Sequence, residues 1–204
     1  MRSVVLIPTY NEIDSLPSAL DRVRSAAVQA HILVIDDNSP DGTGALADAR
    51  AQSDDHIHVL HRTEKNGLGP AYLAGFKWAL ENDFELIIEM DADGSQRAED
   101  LALLIQRAEM ADKPDLVIGS RWISGGATQG WSQKRVLLSR AGNVYINLAL
   151  GLNVRDATAG FRVYRADLLR RMDLNKVEAL GYGFQVNMTL LVDQAGGRIV
   201  EMPI

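Results

Sequence analysis

Short apolar runs rich in β-forming residues alternate with helical patterns through the first ninety residues, and this alternation narrows the available folds more than any other feature. Strand candidates stand at Ser3–Pro8, His31–Asp36, Ile57–His61 and Glu85–Glu89, with helical patterns over Leu16–Ala27, Thr43–Ala51 and Gly69–Asn82 between them. A helix returning the chain between consecutive strands makes those strands parallel and the crossover right-handed. A further helix at Ala98–Met110 and a strand at Asp115–Gly119 continue the series. Beyond Ser120 it stops. Gly125, Gly126 and Gly130 mark a loop, Lys134–Leu150 reads as a helix, and Arg155–Tyr164 reads as a turn leading into a strand. The expected class is α/β, a mostly parallel sheet flanked by helices in a single domain spanning 1–204.

The composition excludes several alternatives. At 47% hydrophobic and 24% charged residues, 204 positions are enough for one globular domain with a sizeable core. The absence of cysteine rules out disulfides and thiolate metal sites and is compatible with a cytosolic chain. Three of the four histidines fall within His56–His61 without the spacing of a zinc site, and they read as surface residues. The apolar run in Met1–Pro8 is too short for a signal peptide, and no stretch reaches the ~18 apolar residues of a membrane span, so a soluble chain is expected. A net charge of −6 argues against nucleic acid as a partner. Basic residues are nevertheless concentrated between Arg121 and Arg171, opposed there only by Asp156 and Asp167. That half can hold an anion.

The polar segments that follow the strands carry the chemistry. Met90-Asp91-Ala92-Asp93 places two carboxylates at the expected C-terminal edge of a strand, where open α/β sheets bind ligands. Carboxylates at i and i+2 can share a hard divalent cation that completes its shell with water and substrate phosphates, which makes a nucleoside diphosphate a natural ligand. Pro8-Thr9-Tyr10-Asn11-Glu12 ends the first strand; Pro8 is expected to stop the ladder, and Tyr10 can lie against a base while Glu12 bonds ring edges or ribose. The plain alternative is a strand-end turn before a helix cap at Asp14 or Ser15. After the second strand, Asp37 is placed to receive a ribose hydroxyl or base N–H, while Asp41 or Thr43 caps the next helix. Residues 1–119 thus read as a nucleotide-type half and 120–204 as an acceptor-type half.

In order along the chain, Pro8-Thr9-Tyr10-Asn11-Glu12, Asp36-Asp37-Asn38-Ser39-Pro40-Asp41-Gly42-Thr43, Lys65-Asn66-Gly67-Leu68-Gly69-Pro70-Ala71-Tyr72 and Met90-Asp91-Ala92-Asp93 resemble the family-2 glycosyltransferases. Gly119-Ser120-Arg121-Trp122, Gly125-Gly126, Trp131, Arg135, Ser139 and Asp156-Ala157-Thr158-Ala159-Gly160-Phe161-Arg162 narrow the resemblance to the dolichol-phosphate or polyprenol-phosphate mannose synthases. It implies a GT-A fold and the inverting transfer of mannose from GDP-mannose to a polyprenyl (dolichyl) phosphate. By the same resemblance Pro8, Tyr10, Glu12 and Asp37 hold the guanosine, Asp91 the ribose or metal side, and Asp93 a Mg2+ or Mn2+ ion with the diphosphate. Arg121, Arg135 and Ser139 grip the acceptor's phosphate, and Asp156 and Arg162 lie near the sugar. The segment Gly181–Gln185 opens a helix that in the family lies near the donor sugar. Gly94-Ser95-Gln96-Arg97-Ala98 departs from the family's usual hydrophobic residue, Ser or Gln, His, variable residue and Pro, which leaves Ser95 and Gln96 both open as a further metal ligand. The family also continues past the equivalent of Ile204 into a lid segment, so the resemblance implies either a truncated sequence or a missing lid, and absence of the lid implies low or no activity with nucleotide binding intact.

Transfer to a phosphate monoester needs no strong base, because the acceptor is already anionic; forked arginine donors suit it. Asp156 can assist or can orient Arg162, and a carboxylate beside clustered arginines most often forms an ion pair. A lipid acceptor requires contact with a bilayer. Val136–Leu150, flanked by Lys134, Arg135 and Arg140, reads either as a membrane-facing helix or as a core helix. Trp122 and Trp131 share that ambiguity. The expected location is cytoplasmic, peripheral at the cytoplasmic face of a membrane, and a separate membrane-anchoring subunit or domain is compatible with it. Transfer from UDP-glucose to undecaprenyl phosphate, or a non-catalytic nucleotide-binding subunit, are the alternatives.

Overall fold

The computed structural model describes residues 1–177 and 183–204. Seven strands, β1 (Ser3–Thr9), β2 (His31–Asp36), β3 (Ile57–His61), β4 (Leu86–Glu89), β5 (Leu116–Ser120), β6 (Arg162–Arg165) and β7 (Ile199–Pro203), form one sheet in the order β3-β2-β1-β4-β6-β5-β7. Only β6 runs antiparallel, wedged between β4 and β5. The helices are α1 (Leu16–Ala26), α2 (Thr43–Ser53), α3 (Leu68–Glu81), α4 (Ala98–Glu109), α5 (Gln133–Leu150), α6 (Ala166–Arg171) and α7 (Gly183–Gln194).

Alternation along the strands divides the core into two layers. Val4 and Leu6 face a layer completed by α3, α6 and α7, whereas Val5 and Ile7 face one completed by α1, α2 and α4. In α1 the buried Leu16, Ala19, Leu20 and Val23 follow the i, i+3, i+4, i+7 stripe of a helix with one apolar face. Pairing proceeds outward from β1 through β2 to β3, then returns to its other side with β4. The order therefore reverses between β1 and β4, the switch point at whose carboxyl edge open α/β sheets bind ligands.

Pro8 does not stop the ladder. β1 continues through the pairs Pro8↔Ile35 and Thr9↔Asp36. The pairing of β1 with β4 ends at Leu6↔Glu89, where Leu6 O accepts from Met90 N. The proline's missing donor faces that vacated side, so it costs no hydrogen bond. Ser15 does occupy the N-cap of α1, but its hydroxyl bonds Glu12 instead of a helix amide. The elements absent from the sequence reading are α6, a 3-10 turn at Leu174–Lys176, and β7. The first two are single turns, and β7 is only partly buried. Of the histidines, only His61 is exposed, and His31, His56 and His58 are half-buried. His31 stacks with His58 and His56 and packs on Phe84, and burial lowers its pKa to about 4.

Gly75 lets α3 settle on the sheet: a Cβ there would come within 2.6 Å of Ile35 Cδ1 and 2.9 Å of Leu6 Cδ1. Gly75→Val should cost about 1–3 kcal/mol through overpacking, lowering Tm by about 2–4 °C per kcal/mol in a domain of this size. A thermal melt checks it, and an unchanged Tm would mean that α3 is packed more loosely than described.

Candidate functional site

The candidate residues lie along the sheet edge at the β1/β4 switch point. At the ends of β1 and β2, Tyr10 stacks under the Lys65 ammonium, 3.9 Å from the ring centroid. Asp37 is buried and ion-paired to Arg62 at 2.6 Å, and burial, which outweighs that pairing, raises its pKa. The hydroxyl of Thr43 accepts from Glu12 N at 3.0 Å, and Asp41 accepts from both Thr43 and Ile13. These bonds tie the loop after β1 to the start of α2 and hold Tyr10 and Glu12 over the sheet edge. Pro8 lies within the strand, paired with Ile35.

The carboxylates after β4 are held in different ways. Asp91 accepts from the Tyr72 hydroxyl (3.2 Å) through Oδ1 and from Gln96 Nε2 (3.1 Å) through Oδ2, while Asp91 N donates to Gln96 Oε1 (2.9 Å). Gly160 lies against this group, its Cβ position 3.7 Å from Asp91 Oδ2. Asp93 is exposed and accepts only the amide of Ser95, at 2.8 Å, leaving carboxylate lone pairs uncommitted. Burial first, then the charge of Asp93, pushes Asp91 up to about 6, with Glu12 adding to the rise. Asp91 and Asp93 thus share one turn with no protein cation bonded to either among the described residues, where no group of three or more acids or histidines is gathered as a metal cluster. Hard oxygen donors and uncompensated negative charge fit a divalent ion. Gln96 is not a free ligand, because its amide is spent on Asp91; the Ser95 hydroxyl makes no hydrogen bond among the described residues.

On the acceptor side, Arg121 leaves the end of β5 and grips Asp156 in a forked pair, Nε to Oδ2 and Nη2 to Oδ1, both at 2.7 Å. Asp156 is fully buried and also accepts from Arg121 N and the Thr158 hydroxyl. Its partner is thus Arg121, not Arg162. Arg162 is itself fully buried and donates to the carbonyls of Ala157, Ala159 and Gln185, to Thr189 and to Tyr164. Its hydrogen bonds among the described residues all run to protein groups, which gives it a structural role; its place near the sugar remains what the resemblance implies. Glu201 of β7 accepts the amides of Arg155 and Asp156, and Asn143 of α5 accepts that of Ala157. Nothing in the sequence pattern announced either residue. Tyr72 was legible only as the last residue of a glycine-rich segment, and its hydroxyl function emerges from the tertiary contact.

Arg135 and Ser139 stand one turn apart on α5, which does not form a core helix. Asn143 is its only buried residue. Leu137, Leu138, Val144, Tyr145 and Leu148 are 59–81% exposed, a continuous apolar face turned away from the protein. No helix among the described residues is long and apolar enough to cross a membrane. Trp122 and Trp131 also lie outside the core, packed on arginines. Gly181 and Tyr182 lie outside the described residues; Gly183 opens α7, and Gln185 Nε2 donates to the buried Glu89 beneath Asp91 at 2.8 Å.

The family model described as glycosyl transferase family 2 matches residues 4–173. An undecaprenyl-phosphate mannosyltransferase of Micrococcus luteus is 53% identical over 204 residues, covering 100% of this chain and 83% of that protein. A polyprenol monophosphomannose synthase of Mycolicibacterium smegmatis is 48% identical over 204 residues, covering 100% and 76%. Among solved structures, the mannosyltransferase PcManGT of Pyrobaculum calidifontis, in complex with GDP-Man and Mn2+, matches with a TM-score of 0.64 at 19% identity, over 99% of this chain and 55% of that one. S. aureus TarS 1-349 matches at 0.65 and 20%, over 99% and 58%. At such identities the structural likeness concerns the fold alone, and this chain spans little more than half of those two solved chains.

The state of Asp91 can be read from stability. Its carboxyl is near 3.8 when unperturbed and about 6 when folded, so between these values the folded chain holds a proton that the unfolded chain has released. Stability without metal therefore falls as pH rises through that window. Asp91→Asn can keep both contacts, its carbonyl accepting from Gln96 and its amide donating to the Tyr72 oxygen. It should flatten the pH dependence and raise the metal-free unfolding midpoint near neutral pH. Thermal melts across the window decide; a lower midpoint near neutral pH would show the Asp91 charge to be compensated.

Proposed function

The chain belongs to glycosyl transferase family 2, and on that premise we propose that it transfers mannose, with inversion, from GDP-mannose to the phosphate of a polyprenyl lipid at a membrane surface. Its sheet, parallel except for β6, is the GT-A fold expected from the sequence. The observation that carries the acceptor assignment is that one helix, α5, bears both Arg135 and a bare apolar face. The same helix can therefore meet a phosphate and the lipid attached to it.

In this reading Tyr10, Glu12 and Asp37 receive the guanosine. Asp93, with Asp91 behind it, holds a Mg2+ or Mn2+ ion with the diphosphate, and the Ser95 hydroxyl is the available extra ligand. When bound, that ion neutralises charge on the departing nucleoside diphosphate. Tyr72 and Gln96 fix Asp91 beforehand, so little reorganisation remains at the moment of reaction. Asp156 holds Nε and Nη2 of Arg121 and leaves Nη1 without a hydrogen bond among the described residues. Arg121 and Arg135 bind the acceptor phosphate, with Ser139 beside them. The phosphate oxygen is already anionic and attacks the anomeric carbon from the face opposite the leaving group, so a single displacement converts an α-linked donor to a β-linked product. Asp156 accepts four hydrogen bonds and is not poised to take a proton; it orients Arg121.

The apolar face of α5 lies on the bilayer, with Lys134, Arg135 and Arg140 reaching anionic head groups. Each such basic residue is worth about 1 kcal/mol near the surface. In this reading the chain is peripheral at the cytoplasmic face, with or without a further anchoring partner.

Incubation with polyprenyl phosphate, Mg2+ or Mn2+ and labelled GDP-mannose should move mild-acid-labile label into the organic phase, only with metal present and without competition from UDP-glucose. Asp93→Ala should abolish metal-dependent donor binding, whereas Arg135→Ala should retain donor binding and lose transfer. If the donor binds and no organic-phase label forms with any prenyl phosphate, the acceptor assignment fails.

Paired Leu137→Glu and Leu148→Glu replacements should release the chain from anionic vesicles in co-sedimentation while GDP binding stays at the native level. Undiminished sedimentation would remove α5 from the membrane contact.

A further inference from the structure

The transfer just described makes no use of the two indoles that stand among its arginines. The Arg135 guanidinium carbon lies 3.8 Å from the Trp131 ring centroid, and that of Arg121 lies 5.0 Å from the same centroid. Trp122 meets Trp131 edge to face, with centroids 6.2 Å apart and planes at 69°. Around Trp122 stand Arg121 at 5.5 Å and Arg140 at 5.0 Å. Five side chains from the β5 end, the following loop and α5 thus form one cluster in which cations alternate with rings.

These contacts address a problem of charge. Three guanidiniums stand close together, yet among the described residues the only carboxylate paired with any of them is Asp156, which holds Arg121. Arg135 and Arg140 have no acidic partner among the described residues. An acidic partner would fix a long arginine side chain but would also cancel the charge that a phosphate needs. An aromatic face attracts a guanidinium through its quadrupole and leaves the positive charge in place. Trp122 Nε1 is shielded from solvent and has no partner among the described residues, so a donor without an acceptor lies in the same cluster.

We propose that Trp131, backed by Trp122, is the positioning residue of the acceptor-phosphate site, its indole setting the placement of Arg135 relative to Arg121 while leaving both charges available. This rests on the acceptor reading above and adds the residue that organises it. Two cation–π contacts on one ring amount to about a tenfold effect on binding.

The test compares Trp131→Leu, which keeps apolar bulk without a π face, with Trp131→Phe, which keeps the face. In the full chain, Trp131→Leu should raise the KM for polyprenyl phosphate about tenfold, with kcat, GDP affinity and Tm close to native. Trp131→Phe should stay close to the native KM. Equal losses in the two variants, or a native KM in Trp131→Leu, overturn the proposal. Should Trp131→Leu fail to fold, the same Leu-against-Phe contrast is read at Trp122. If the native chain transfers no mannose to any prenyl phosphate, the acceptor reading has failed on its own. The contrast is then scored on equilibrium binding of a short-chain prenyl monophosphate, and absent binding by the native chain, or binding equal in the Leu and Phe variants, overturns the proposal.

Discussion

The guanidinium of Arg162, wholly withdrawn from water, is the interaction on which both halves of the site depend. Removing a cation from water is costly unless its donors are met, and each of its three nitrogens donates to the protein, to three main-chain carbonyls, a threonine and a tyrosine in all. Two of those carbonyls belong to Ala157 and Ala159, so the buried charge fixes the turn from Asp156 to Gly160 from beneath. The first residue of that turn orients Arg121; the last lies against Asp91. One short turn therefore sets the placement of Arg121 and of Asp91 together. Glu89 stands directly opposite Arg162 across the β4/β6 pair, and burial pushes its carboxyl to about 8 against the pull of that cation.

What the sequence discloses follows how local each cause is. The strands and helices of the first half were legible because their periodicity and flanking turns are short-range properties, and the observed bounds differ by only a residue or two. The carboxylates of Asp91 and Asp93 were legible for the same reason, since a strand end followed by a turn is a local pattern. The partner of Asp156 was not, because the choice between Arg121 and Arg162 depends on how β5 and β6 pair. Both arginines are near it, and only antiparallel insertion of β6 sends one inward and leaves the other at the edge. Glu201 escaped notice for a related reason: its strand is partly buried, ends in proline, and lies forty-five residues beyond the amide of Asp156 that it satisfies.

Helix α5 illustrates an ambiguity that periodicity cannot resolve. An apolar stripe looks the same whether it faces a core or faces away from one. The deciding fact is that the helix turns its polar and small residues inward. Asn143 is buried because its side chain bonds the carbonyl of Ser139 and the amide of Ala157, tying α5 to the turn that Arg162 supports. Asn147 likewise bonds Val154 in both directions. Specific hydrogen bonds, together with Ile146 packed against the core, anchor this helix, and that leaves its opposite hydrophobic side free.

Such an anchorage gives the proposed bilayer contact its consequence. The chain as a whole is acidic, with a net charge of −6, so an anionic surface repels most of it and attracts the basic stretch around α5. Orientation is thereby selected before contact: α5 approaches first. Because the hydrogen bonds of Asn143 and Asn147 couple α5 rigidly to the Asp156 turn, docking the helix also places Arg135, Ser139 and Arg121 at the level of lipid phosphates. The sheet's carboxyl edge, fixed to the same turn through Gly160 and Asp91, is then positioned relative to the membrane without a separate contact of its own. In the proposed reaction the soluble donor and the lipid acceptor meet because both of their binding edges are referenced to one buried arginine.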